Sequence, residues 1–163
     1  MPAMESRAIA ELVERIVTGD PWHGPSVKQV LDGIDATLAA RRPPGGVHSI
    51  WELVLHMTGW AREVTARLGG RPAQDPETGD WPEVEDVAPG RWRQAQADLF
   101  EAHRALAAAI RSMDPATLDQ PVRDFRDNAL GTGLSYYLTL HGLAHHTIYH
   151  SGQISLLKRA LLS

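Results

Sequence analysis

Proline and glycine cut this chain into pieces, and every long piece between the cuts has the apolar period of a helix. Gly19-Asp20-Pro21, Pro43-Pro44-Gly45-Gly46, Gly69-Gly70 and Asp114-Pro115 are places where a helix cannot continue. Before the first cut, Ile9, Leu12, Val13 and Ile16 predict a short helix over 4–18. A second runs over 26–41, with Val27, Val30, Leu31, Ile34 and Leu38 as its stripe. Ser49 followed three residues later by Glu52 reads as a capping box that opens a third helix, over 49–68. A fourth covers 91–113, with Leu99, Leu106 and Ile110 inward, and the last covers 133–162. Between them, 71–90 is a loop rich in proline and glycine, and loops of that length in compact domains are commonly functional or unstructured. Residues 119–132 read as irregular. Strand alternation is nearly absent. The expected fold is all-α, an antiparallel four-helix bundle with a short extra N-terminal helix, in a single domain over 1–163.

Composition narrows the chemistry. A chain of 163 residues buries roughly 70% of its unfolded surface, enough for a core without covalent staples. It has no cysteine, so any metal must be held by His, Asp, Glu or water. The formal charge of −4 argues against a nucleic-acid partner, which calls for a basic surplus. No apolar run reaches the length of a membrane span, and no basic segment followed by an apolar run opens the chain. A soluble cytoplasmic protein with a small-molecule partner is expected.

The richest chemistry lies near the C-terminus, where His141, His145, His146 and His150 form two interlocked pairs at i, i+4 spacing. On a helical wheel of about 100° per residue, His146 and His150 fall on the apolar stripe of Tyr136, Leu143, Ile154, Leu157 and Leu161. His141 and His145 share their side with Ser155 and Arg159. The inner pair is the metal candidate, because bundle sites are built from side chains that face the core. The plainer alternative is a pair of core histidines with ordinary hydrogen-bond partners. His56, flanking the stripe of Leu53, Met57, Trp60 and Val64, is the better third ligand. His103 falls away from its helix's apolar stripe, His48 sits at a helix start and His23 in a turn. Glu52 and Glu63 share the flank of His56 and either orient it or face solvent. Asp75, Glu77, Asp80, Glu83, Glu85 and Asp86 in the long loop read as a solvated face, the alternative being that one of them reaches the site. Tyr149 turns away from the ligands, and Gln153 lies toward them.

Three segments together resemble the DinB-like superfamily of four-helix proteins. They are Trp22-His23-Gly24-Pro25-Ser26, His48-Ser49-Ile50-Trp51-Glu52-Leu53-Val54-Leu55-His56, and His146-Thr147-Ile148-Tyr149-His150-Ser151-Gly152-Gln153-Ile154. The last is the most specific, since the closing helix of that family commonly reads H-x-x-Y-H-x-G-Q-I. The resemblance implies a divalent metal, zinc or nickel, on His56, His146 and His150, and a homodimer. Relatives include thiol-dependent S-transferases, so a low-molecular-weight thiol is an implied cosubstrate, although many members have no known reaction. Three imidazoles leave open metal positions, as catalytic sites do, and a metal so held activates water or a thiol. Two readings follow. One is a metal-dependent transferase or hydrolase acting on a small electrophile; the other is a metal-holding stress or sensor protein without turnover.

Overall fold

The computed structural model describes residues 2–45, 48–125 and 133–162. Gly46 and the later part of the expected irregular stretch, 126–132, lie outside the described residues. Among the described residues six α-helices follow one another: α1 Pro2–Val17, α2 Val27–Leu31, α3 Ala36–Ala40, α4 Ile50–Leu68, α5 Pro89–Ser112 and α6 Tyr136–Leu162. A 3-10 turn, Pro115–Asp119, follows α5. Among the described residues the β content is one isolated bridge, Pro121 to Ser135. The all-α bundle expected from the sequence is therefore present.

Local chemistry sets the helix ends. Ser49 Oγ accepts from the Glu52 amide at 3.2 Å, and the Glu52 carboxylate accepts from the Ser49 amide at 2.8 Å. This reciprocal cap satisfies two amides that the first turn of α4 leaves without partners. The helix expected over 26–41 is instead two five-residue helices. Gly33 adopts φ +72° between them, a conformation that side-chain-bearing residues disfavour. Asp35 then starts α3 by accepting from the Leu38 amide at 2.8 Å, so a strong N-cap inside the apolar stripe overrides its periodicity. The four long helices are thus α1, α4, α5 and α6. The N-terminal helix is a full member of the bundle, and the pair α2–α3 is the addition. Trp92 at the start of α5 holds the break in place by donating its indole N–H to the Ile34 carbonyl at 2.7 Å.

Pairs of contacting residues fix the directions. His56 meets His146, and the Tyr136 hydroxyl reaches the Arg67 carbonyl, so α4 and α6 are antiparallel. Arg111 meets Glu14, and His103 lies beside Val17, so α1 and α5 are antiparallel. But Trp51 packs on Trp92 and Arg62 pairs with Asp98, so the neighbours α4 and α5 run parallel. The antiparallel bundle read from the sequence is present in the α4–α6 and α1–α5 pairs, and the parallel α4–α5 pair within it has a reason of reach. A helix the length of α4 rises about 28 Å, while the segment between α4 and α5 spans up to about 66 Å when extended. That segment carries the chain back to where α4 began.

It returns in contact with α4, descending as α4 rises. The Gln74 amide donates to Glu63 at 2.9 Å. Pro76 and Thr78 lie over Gly59, where a Cβ would come within 3.1 Å of Pro76 and 3.3 Å of Thr78. The Asp80 carbonyl meets His56 at 2.6 Å. With no side chain at 59, the Pro76 and Thr78 side chains pack directly onto α4. The upper end of the loop is fastened by Glu63, whose side chain has 0% exposure. Its carboxylate pairs with Arg67 and Arg71 as well as with the Gln74 amide. Glu63→Ala leaves the buried Arg67 guanidinium without its counterion, and removing one member of a buried pair costs about 3–5 kcal/mol. Urea unfolding at neutral pH checks this, and a loss below about 1 kcal/mol would mean the clamp is dispensable.

Candidate metal centre

Three imidazoles converge where α4 and α6 face each other. His56 Nε2 lies 2.8 Å from His146 Nε2. His150 Nε2 lies 3.1 Å from the same atom. The three candidate donor atoms all fall within 4.8 Å of one another. The structure thus brings together the three histidines singled out in the sequence. His150 and His56 are buried, and His146 is half-buried.

Hydrogen bonds at the far side of two rings assign their tautomers. His56 Nδ1–H donates to the Asp80 carbonyl at 2.6 Å. His150 Nδ1–H donates to Gln153 Oε1 at 2.6 Å. Both rings therefore turn a bare Nε2 lone pair toward His146. His146 Nε2 carries at most one proton, so it can satisfy only one of those two lone pairs. Its own Nδ1 is buried and has no hydrogen-bond partner among the described residues. As protein alone, the cluster leaves a lone pair facing a lone pair, which is unfavourable in a desolvated site. The donor set fits a divalent cation, which satisfies all three at once. Metal–nitrogen bonds near 2.0–2.1 Å put neighbouring donors on the order of 3 Å apart, as the His56–His146 and His146–His150 Nε2 pairs are.

Electrostatics keeps the donors ready. Burial pushes the His56 and His150 pKa values down, offset in part by the hydrogen bonds to Asp80 and Gln153. Burial, reinforced by the neighbouring His150 and His56, pushes His146 down to about 3. All three imidazoles are neutral at pH 7, the form that ligates a metal.

Around them, the long loop supplies what the helices do not. Trp81 is stacked flat between two histidine rings, His48 at 3.7 Å and His56 at 3.9 Å between centroids, each 4° from parallel. The Asp80 carboxylate accepts the Trp60 indole N–H at 2.8 Å and lies 3.3 Å from His56 Nδ1. One loop dipeptide thus fixes the orientation of one ring by hydrogen bond and by stacking. Trp81 has no signal in the sequence beyond its place in a long loop. Of the six acidic loop residues, Asp80 is one that reaches the site, the alternative to a wholly solvated acidic face. Glu52 and Glu63 are buried, and their carboxylates pair with groups other than His56: Glu52 completes its helix cap and pairs with Arg42, and Glu63 fastens the loop.

The remaining histidines sort differently. His103 is buried, contrary to its place on the wheel; it hydrogen-bonds the Leu99 carbonyl at 2.9 Å and Thr147 at 3.3 Å. His141 packs on Tyr137 at 4.5 Å, and His145 and His23 are exposed. Tyr149 is exposed but not remote, with its ring 5.1 Å from that of His150. His150, Tyr149 and Gln153 together line a cleft of about 330 Å³ beside the triad.

Four histidines, the triad and His103, have folded pKa values below the ordinary 6.5 because burial opposes their charge. The unfolded chain therefore binds more protons between the folded and unfolded values. The stability they contribute is present above about pH 6.5 and is lost as pH falls below it. For His146 that loss continues down to about 3. The urea midpoint of chelator-treated protein should drop from about pH 7.5 to about pH 5, and drop less in His103→Gln. A flat profile over that range would contradict the burial.

Neither the curated proteins nor the solved structures include a significant match to this sequence. A family model does: it spans the turn before α2, the whole of α4 and its returning loop, α5, and α6 as far as Ile154, and so takes in all three histidines of the centre. With residues 23–154 matched, the chain belongs to the DinB superfamily.

Proposed function

We propose that the chain is a metal-dependent enzyme that joins a low-molecular-weight thiol, or water, to a small electrophilic substrate. His56, His146 and His150 are its metal ligands, and zinc or nickel is the metal, the latter on the strength of the family resemblance. The observation that carries the reading is the double position of His150. It belongs to the three-imidazole cluster and also forms part of the wall of the cleft. A ligand set sealed in the core would serve storage or structure; one that borders a cleft gives a second molecule access.

The protein's own groups do the positioning. Asp80 and Gln153 hold the Nδ1 protons of His56 and His150, so that both rings offer Nε2. Trp81 covers the flat face of His56 and keeps water from that side. When bound, a divalent cation supplies Lewis-acid activation of the thiol or water. The chain has no cysteine, so a sulfur nucleophile must come from a small molecule.

A homodimer is part of the proposal. Leu138, Gly142, His145, Tyr149, Gly152 and Leu156 are all exposed and follow one another at intervals of three and four along α6. That spacing lines one helix face, and the two glycines permit close approach of a second helix. Charge substitution in the stripe, Leu138→Asp, should convert dimer to monomer in sedimentation; a monomer before substitution sinks the dimer alone.

Metal analysis of protein purified without a His tag tests the centre. About one equivalent per chain is expected after incubation with zinc or nickel, falling by more than about a hundredfold in affinity for His146→Ala. Gln153→Ala should cost roughly tenfold to a hundredfold, the range for loss of a ligand's hydrogen-bond partner. Metal-loaded protein should turn over thiol with an electrophile, or a hydrolysable ester or amide. Full metal occupancy with no turnover across both panels would return the protein to a metal-holding sensor. Less than about a tenth of an equivalent would end both readings.

A further inference from the structure

The cleft beside the triad has a chemical character of its own. Leu53, Leu156 and Leu157 give it aliphatic walls, and Trp81 and Tyr149 give it aromatic ones. No Lys, Arg, Asp or Glu lines it among the described residues. Gln153, its amide-bearing wall residue, already has its carbonyl oxygen committed to His150. Trp81 has both ring faces covered, by His48 and His56, so what it has left to offer is an edge. An indole edge is the electropositive part of the ring and pairs with the face of another aromatic system. The cleft, about 330 Å³, sits at the small end of ligand sites.

We propose that this cleft binds an uncharged, planar aromatic group, and that this is the part of the electrophilic substrate that positions its reacting atom beside the triad. The inference rests on the enzyme reading for its second half; the binding preference itself does not. A charged group entering the cleft would shed water, and among the described residues no Lys, Arg, Asp or Glu side chain lines the cleft to replace that water. A neutral aromatic ring loses nothing comparable and gains contact with three leucines and two aromatic side chains. Tyr149, 65% exposed, and Leu156, 63% exposed, stand at the rim, so filling the cleft removes their apolar surface from water.

Calorimetric titration of the protein as purified tests this, with 2-naphthol as probe and 2-naphthalenesulfonate and 2-naphthylmethylammonium as charged counterparts. Metal content is measured on the same sample. The neutral probe should bind at one site per chain, about tenfold or more tighter than either charged one. Leu157→Trp fills the cleft without replacing a metal ligand and should abolish naphthol binding while metal content stays unchanged. Equal affinity for a charged counterpart overturns the proposal. So does the absence of naphthol binding up to its solubility limit, or undiminished binding in a folded Leu157→Trp protein. Should that variant not fold, the three-probe comparison on the unsubstituted protein still decides. Metal without naphthol binding sinks this inference and leaves the enzyme reading standing; naphthol binding by protein that takes up neither zinc nor nickel sinks the enzyme reading and leaves only the binding preference.

Discussion

A carboxylate with no solvent exposure holds the architecture together. Glu63 accepts from two guanidinium groups and a backbone amide, and so fixes the first residues after α4 against the helix they have just left. From that anchor the loop can lie only along α4, past Gly59 and down to His56. Two consequences follow. The chain re-enters the bundle at the end where α4 started, which makes α4 and α5 parallel. The loop also delivers Asp80 and Trp81 to a histidine that no helix could have buttressed on that side. The cost of sequestering a charge is recovered because all its neighbours are donors, the condition under which buried ionic groups are tolerated.

Much of this was legible before any coordinates. The Ser49–Glu52 cap was visible because its chemistry is local, three residues apart. His56, His146 and His150 were visible because an i, i+4 pair on an apolar helix face has few ordinary explanations, and His56 stood beside the core face of another helix. The failures share a physical cause. His103 was placed outside the core by a wheel that treats all apolar residues alike; the structure buries it because Thr147 and the Leu99 carbonyl provide for both its nitrogens. The helix read over 26–41 breaks because one capping aspartate and one glycine outweigh five periodic apolar residues. Asp80 and Trp81 left no periodic trace at all. Their role depends on a contact across 24 residues of sequence, made by backbone as much as by side chain. Even the direction of α5 was set by loop length, a quantity that helical periodicity does not contain.

The last helix shows why function blurs the pattern that folding would prefer. α6 is apolar on both of its faces, and the inward one carries His146 and His150 where a bundle would ordinarily place leucine or valine. Two imidazoles in that position give up core packing, and with His56 they create a set of lone pairs that protein alone cannot satisfy. On the outward face Leu138, Tyr149 and Leu156 remain in solvent, where a bundle would ordinarily place charge. Both departures are costly for an isolated domain, and they occur side by side on the same turns of the same helix. A divalent cation would remove the first. Against the second, a neighbouring helix along the stripe and an aromatic ligand in the cleft would each cover part of what is exposed. The helix that is least like an ordinary amphipathic element is therefore the one on which metal, ligand and partner subunit would all converge.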